Sequence, residues 1–194
     1  DYDRAHENRA QTSAQLRVSS NFNHYDDHLR ADGTVNNAQL GKLELTASHI
    51  RPISENWSIL GEFSGVASLE PLMPLEQFRI GGPYSVRAFP ISELAGDEGA
   101  EITVQLQRSF FVDKGIPGTF RVFWDAGVVY RMDETRNLTG LPAHNSLTGW
   151  GAGVTFAYGP TVTLDLDAAF PLDSFQSSDG RDSGRVWASL SALF

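Results

Sequence analysis

Phe78-Arg79-Ile80-Gly81-Gly82-Pro83-Tyr84-Ser85-Val86-Arg87-Ala88-Phe89-Pro90 is the stretch around which the rest of the chain is organised. Two glycines and a proline interrupt it, yet it carries more apolar bulk than exposed loops usually do. It lies in a connection of about thirty residues, from Glu70 to Ala100, and connections of that length in a compact domain are usually functional or disordered. Because five residues are bulky and apolar, we expect the stretch to pack against the rest of the molecule. These five are Phe78, Ile80, Tyr84, Val86 and Phe89.

The composition limits the class of protein. The 194 residues predict one domain, spanning 1–194, and the lack of cysteine removes disulfides and thiolate metal sites. A net charge of -9 argues against nucleic acid as a partner. A mean hydropathy of -0.25 suits a soluble protein but does not exclude a transmembrane barrel, whose strands alternate polar and apolar residues. The chain opens on polar residues without a signal peptide, which predicts a mature or trimmed start.

Apolar and polar residues alternate in eight segments with a period of two, which helices cannot use. In the fifth segment, for example, Val122, Trp124 and Ala126 face one way. Arg121, Phe123 and Asp125 face the other. The predicted strands span residues 10–22, 38–50, 57–69, 100–111, 119–131, 149–158, 162–170 and 185–194.

The connections between these segments alternate between long and short, which is typical of outer-membrane barrels. A soluble β-sandwich also alternates along each strand, but sandwich strands usually have about five or six residues. Most of these segments have about 10 to 13, the length of a tilted membrane crossing. The sequence therefore predicts an all-β fold, a transmembrane antiparallel β-barrel with eight strands in this chain, in contact with membrane lipid.

Three pieces of the sequence resemble one family. Residues 81–90, followed by Glu93 and Gly96-Asp97-Glu98-Gly99, are similar to the lumen-inserted loop of two-partner secretion transporters. These are the TpsB-type haemolysin and adhesin exporters, in a superfamily that also holds the barrel-assembly protein BamA. Residues 122–127 resemble the family's strand with a lumen-facing aspartate, and residues 186–194 resemble its terminal strand. Ala88 departs from the superfamily's common glycine, which tolerates positive φ more readily.

The resemblance implies a function and a larger assembly. Family members carry periplasmic POTRA domains and a 16-stranded barrel, so this chain would be the second half of such a barrel, with the connection at about 70–100 inserted in its lumen. The chain would export an unfolded partner protein from the bacterial outer membrane, without cofactor and without being an enzyme. Two alternatives stay open: a barrel-assembly or insertion factor, and a small eight-stranded barrel with a structural or adhesive role.

The volume of the barrel bears on these alternatives. An eight-stranded barrel is filled by its own side chains, so the connection could not fold deep inside it. Either the chain is half of a wider barrel, or two copies combine as a dimer, or the loop lies at the mouth. We expect the first, because the strands match the second half of a 16-stranded family.

Arg87 is the central candidate among the site residues. Its planar guanidinium suits a bidentate carboxylate partner in a partly dry lumen. Alternation places Asp125 and Phe123 on the lumen face of the predicted fifth strand, and the resemblance implies that Arg87 pairs with Asp125. The other interpretation is that the two charges are solvated independently. The remaining loop candidates are Gly81, Gly82, Tyr84, Val86 and Phe89, and the candidates for an adjoining groove, where glycine leaves space, are Gly149, Gly151 and Gly153.

The last strand carries a second candidate signal. Val186, Leu190 and the terminal aromatic Phe194 have the form that barrel-assembly machinery recognises, so this machinery is an expected partner. We interpret Asp165 and Asp167 as ordinary lumen polarity rather than acid–base residues. No metal site is predicted, since the histidine and aspartate residues of the first long loop form no closed ligand set. They are His24, Asp26, Asp27 and His28.

Overall fold

The computed structural model describes residues 10–20, 28–29, 35–36, 41–112, 115–180 and 183–193. Nearly all of its regular structure is β-strand. The strands are β1 (Gln11–Ser20), β2 (His28–Leu29), β3 (Val35–Asn36), β4 (Gly41–Pro52), β5 (Trp57–Ser68), β6 (Phe78–Ile80), β7 (Leu94–Gly96), β8 (Glu98–Val112), β9 (Ile116–Tyr130), β10 (His144–Tyr158), β11 (Val162–Pro171) and β12 (Arg185–Ala192). Within these ranges one helix, α1 (Asp133–Thr139), precedes β10.

The eight long strands form one antiparallel sheet in the order β1-β4-β5-β8-β9-β10-β11-β12. Each strand therefore pairs with the next long strand along the chain. β1 and β12 are the two edges, and within the described ranges no pairing joins them. The predicted all-β fold with eight antiparallel strands is confirmed. No helix in the described ranges has the length and apolar composition needed to cross a membrane.

The two faces of the sheet differ in chemistry. We call the face covered by the connection between β5 and β8 the inner face. On the outer face of β9, Phe120, Val122 and Trp124 are 40, 41 and 41% exposed, although each has paired strands on both sides. On its inner face, Phe123 and Asp125 are buried. The sheet thus presents an apolar surface outward and buries part of its polar residues inward, the reverse of a soluble sheet with one solvated face.

The hydrophobic core lies between the inner face and the connection. Ile80, Val86 and Phe89 of the connection are fully buried. They pack in one cluster with residues of the strands, namely Phe123, Val129, Leu147 and Ala169. Burial of side chains of this size stabilises a fold by about 1.5–3 kcal/mol each. Apolar burial therefore holds the connection against the sheet over and above its polar contacts.

Two of the connections differ from the sequence-based expectation. Residues 78–80 and 94–96 pair as a short hairpin, because the connection satisfies its backbone groups locally where it leaves the sheet. The expected polar loop of residues 132–148 contains α1, which ends at Gly140 with a left-handed φ of 68°, and the first residues of β10. His24, Asp26, Asp27 and Phe194 lie outside the described residues, and His28 begins β2.

Candidate functional site

The 81–93 loop, which joins β6 to β7, is folded back on itself by two glycines. Gly81 and Gly82 have φ of 104° and 110°, which side-chain-bearing residues rarely adopt. The Gly82 N–H donates to the carbonyl of Phe89 at 3.2 Å, and the Ser92 N–H donates to the carbonyl of Gly81 at 3.2 Å. A Cβ on Gly81 would also collide with the carbonyl oxygen of Pro90. The turn therefore requires glycine, and it aims Val86 and Phe89 at the core.

Ala88 occupies its position without strain. Among the described residues other than glycine, Ser92 alone has positive φ, at 55°, so the position of Ala88 does not require glycine. Its methyl group lies over Gly149 of β10, where an added Cβ would be 2.7 Å from the Cβ of Ala88. The departure from the common motif is accommodated because β10 has no side chain at that point.

Arg87 and Asp125 form a buried bidentate ion pair. Arg87 Nε lies 2.9 Å from Asp125 Oδ2, and Arg87 Nη2 lies 2.8 Å from Oδ1. The backbone N–H of Arg87 also donates to Oδ2 at 3.2 Å, and Thr103 Oγ1 donates to Oδ1 at 2.9 Å. The side chains are 6% and 1% exposed. Two parallel bonds in a water-poor site fix the orientation of Arg87 as well as its position.

Three other residues surround Arg87. The Phe123 ring lies beneath the guanidinium, with its centroid 3.4 Å from Cζ, a cation–π arrangement. The Trp187 indole N–H donates to the carbonyl of Arg87 at 2.8 Å. Asp167 Oδ2 lies 4.0 Å from Nη1. The structure thus brings together Arg87, Asp125 and Phe123 from the predicted site and adds Trp187, which the sequence did not reveal.

A second ion pair continues the polar strip along the inner face. Arg121 Nη2 lies 2.8 Å from Asp167 Oδ1, and Nη1 lies 3.5 Å from Asp165 Oδ1. Thr155 hydrogen-bonds both Arg121 and Asp165. Both aspartates therefore lie beside the guanidinium of Arg121.

The three glycines of β10 each make room for a different neighbour. The register places Gly149 beside Asp125 and Gly151 beside Phe123. An added Cβ would meet the Ala88 methyl at Gly149, the Phe123 ring at Gly151 and the carboxylate of Asp167 at Gly153. Of these neighbours, Phe123 and Asp167 also lie beside Arg87, and Ala88 follows it in the 81–93 loop.

Tyr84 differs from the sequence-based expectation. It was expected to pack with the other apolar residues of the loop, but it is 91% exposed at the tip. The next residue anchors the tip instead: Ser85 Oγ donates to Glu101 Oε2 and accepts the N–H of Gly81 at 3.0 Å. A tyrosine can stay in water because its hydroxyl is polar, which the pattern of apolar residues did not take into account.

Asp97 lies in one of the pieces that carry the family resemblance, but the sequence assigned it no role of its own. It is fully buried and accepts the N–H of Leu72 at 2.9 Å and the N–H of Met132 at 2.8 Å. Burial lowers the pKa of Arg131 from its ordinary value, and the charge of Asp97 opposes that shift. One carboxylate thus fastens the start of the long connection to the segment that follows β9.

The inner face leaves an open groove of about 580 Å³ beside the ion pairs. Its charged lining includes Arg87, Arg121, Asp165 and Asp167, and Tyr84 stands between it and a second groove of about 420 Å³. Within the described ranges no three His, Cys, Asp or Glu residues are grouped closely enough to hold a metal ion. The predicted residues of the terminal strand, Val186 and Leu190, are 77% and 70% exposed on β12.

A long-stranded antiparallel sheet with an apolar outer face and a loop fastened to its inner face defines a segment of a transmembrane β-barrel. Residues 4–156 match the family described as haemolysin secretion/activation protein ShlB/FhaC/HecB, and the chain belongs to this family of two-partner secretion transporters. The predicted membership is confirmed.

Solved structures support the fold independently. One that the chain resembles is CdiB from Acinetobacter baumannii, with a TM-score of 0.62 and 19% sequence identity. The match covers 80% of this chain and 27% of CdiB, so the chain spans about a quarter of the length of that protein. No curated protein matches the chain significantly. The likeness to CdiB supports the fold alone.

Proposed function

We propose that this chain is part of an outer-membrane transporter that exports an unfolded partner protein. The observation that carries the proposal is the buried Arg87–Asp125 pair, which holds the 81–93 loop against the inner face of a sheet whose outer face is apolar. A loop fixed at a single, well-defined position can block or line a path, and loss of one member of the buried pair would weaken its attachment to the sheet. Export of this kind requires no bond chemistry and no cofactor.

The outer face is proposed to contact lipid. Interior strands carry large apolar side chains exposed by about 40%, among them Trp150 at 46% and Phe170 at 42%. In water such a continuous surface would drive aggregation, whereas in a bilayer it is the lipid-facing band of a barrel. The barrel-assembly machinery is the expected partner during insertion.

The sheet is proposed to be about half of a wider barrel. Leu16 and Val18 of β1 are 62% and 72% exposed, and Val186 of β12 is 77% exposed, well above the outer-face residues of interior strands. This excess arises because each edge strand lacks a neighbour on one side, and unpaired edges are not tolerated in lipid. Further strands of the same protein would cover both edges. A dimer is the alternative outcome, and the mass of the folded barrel distinguishes the two.

Secretion of the partner protein tests the proposal. Arg87→Ala and Asp125→Ala, expressed with the partner, should lower the amount of partner outside the cell while the barrel stays in the outer membrane. Arg136→Ala removes an exposed arginine of α1 and is the matched control. Secretion that stays at the control level in both variants would refute the proposal. Loss of other outer-membrane proteins instead would indicate a barrel-assembly factor.

A further inference from the structure

Trp187 links β12, a strand at the edge of the sheet, to the 81–93 loop. It belongs to β12, on the inner face, directly opposite Asp167 of β11. Its indole N–H donates to the carbonyl oxygen of Arg87 at 2.8 Å. The 81–93 loop therefore has a hydrogen bond to an edge of the sheet in addition to its ion pair with β9.

Both backbone groups of Arg87 are bound by side chains from different strands. Its N–H donates to Asp125 of β9, and its carbonyl accepts from Trp187 of β12. Two strands, β10 and β11, separate β9 from β12, a distance of about 14 Å at the usual strand spacing. A single loop residue thus connects an interior strand with an edge strand.

Two more contacts join the loop to the segment that leads into β12. The carboxylate of Glu93 accepts the N–H and the hydroxyl of Ser178, each at 2.7 Å. The rings of Phe89 and Phe175 meet edge to face with their centroids 6.0 Å apart. The connection between β11 and β12 is therefore attached to the same loop as β12 itself.

We propose that Trp187 is a positioning residue that couples the state of the 81–93 loop to edge strand β12. The proposal rests on the proposed function, since it is release of the Arg87–Asp125 pair that would be transmitted. The two backbone groups of Arg87 flank one Cα atom, so a shift of the loop by about 1 Å or more takes the carbonyl beyond hydrogen-bonding distance of the indole. By thermodynamic linkage, a change that displaces the loop weakens its hold on Trp187 of β12, and a change that displaces Trp187 weakens the hold on the loop by the same free energy.

The first test measures how often the loop opens. The bond between Arg87 and Ala88 is a trypsin site that is buried while the loop is held in place. In the full protein in its membrane, Trp187→Phe keeps an aromatic ring but removes the donor. Cleavage after Arg87 should become about fivefold faster, the equilibrium change expected for one ordinary hydrogen bond. Trp150→Phe, on the outer face, is the matched control and should leave the rate unchanged.

The second test changes the ion pair and measures the response of Trp187. If Trp187 had only a structural role, its fluorescence would not respond to these changes. In a protein with every other tryptophan replaced by phenylalanine, Asp125→Asn should shift the emission of Trp187 to the red and increase its quenching by acrylamide. Should Asp125→Asn fail to fold, Thr103→Val weakens the same pair by removing one donor to Asp125 and should give a smaller shift in the same direction.

The outcomes separate this inference from the proposed function. Equal cleavage rates for Trp187→Phe and Trp150→Phe would overturn the coupling, even if secretion depends on Arg87. An unchanged emission of Trp187 in Asp125→Asn and Thr103→Val would overturn it as well. Conversely, a red shift in Asp125→Asn, together with normal secretion by Arg87→Ala and Asp125→Ala, would leave the coupling intact and refute the proposed function.

Discussion

The Arg87–Asp125 pair allows a quantitative prediction through a double-mutant cycle. The perturbations are Arg87→Ala, Asp125→Ala and the combination of both. Removing one member of a buried pair costs about 3–5 kcal/mol, because the remaining charge is left without its partner. We expect the lower end here, about 3 kcal/mol for each, since Asp125 keeps the Thr103 hydroxyl and a backbone N–H while Arg87 keeps Asp167 at 4.0 Å.

The double mutant should lose less than the sum of the single losses, because the shared interaction is removed only once. With two charge-assisted bonds of 2.9 and 2.8 Å in the pair, a coupling energy of about 2 kcal/mol is expected. The assay is reversible urea unfolding in phospholipid vesicles, with the free energy of unfolding extrapolated to zero urea.

A matched exposed pair provides the control for this cycle. Asp133 and Arg136 of α1 are also 2.8 Å apart, but their side chains are 84% and 44% exposed. Their coupling should be below about 1 kcal/mol, because water screens both charges. A coupling energy for Arg87 and Asp125 that equals the value for this exposed pair would show that the two residues act as independent charges, and the reasoning would fail.

Three further predictions concern other parts of the molecule. Gly149→Ala should destabilise the protein by about 1–3 kcal/mol in urea unfolding, because its Cβ would lie 2.7 Å from that of Ala88, and Ala88→Gly should restore the stability. Asp97→Ala should cost about 2–4 kcal/mol, since one buried and one partly buried backbone N–H group lose their acceptor, while the exposed Asp133→Ala should be nearly neutral. Deletion of Phe194 should lower the amount of folded, heat-modifiable protein in the outer membrane; an unchanged folded yield would contradict the role of the terminal strand.

The alternation of residues predicted the strands and their faces well. Alternation of period two along β9 is a local property of the sequence, and the sheet reproduces it, with Trp124 exposed and Phe123 buried. The glycines of β10 were recognised for the same reason, since their spacing puts all three on one face. Features that depend on one strand alone could therefore be deduced before the structure.

Contacts between distant segments could not be deduced in this way. Trp187 and Arg87 are 100 residues apart, and nothing in the residues near Trp187 indicates which carbonyl its indole will reach. Asp97 accepts the backbone N–H groups of Leu72 and Met132, which are 25 and 35 residues away from it in the sequence. The hairpin of β6 and β7 was missed because three-residue strands are too short to show a period.

The glycines of β10 have a mechanical consequence for the sheet. Three of the five residues from 149 to 153 lack a side chain, and glycine leaves the backbone freer to depart from regular strand geometry than any other residue. Designed sheets use glycines at such positions to introduce curvature. We therefore expect the sheet to bend most easily along β10, the strand next to the one that carries Asp125. A change in the curvature of the sheet at β10 would alter the distance between β9 and β11, the strands that carry Asp125 and Asp167 beside Arg87. The stiffness of the sheet at β10 would therefore affect the strength of the ion pair.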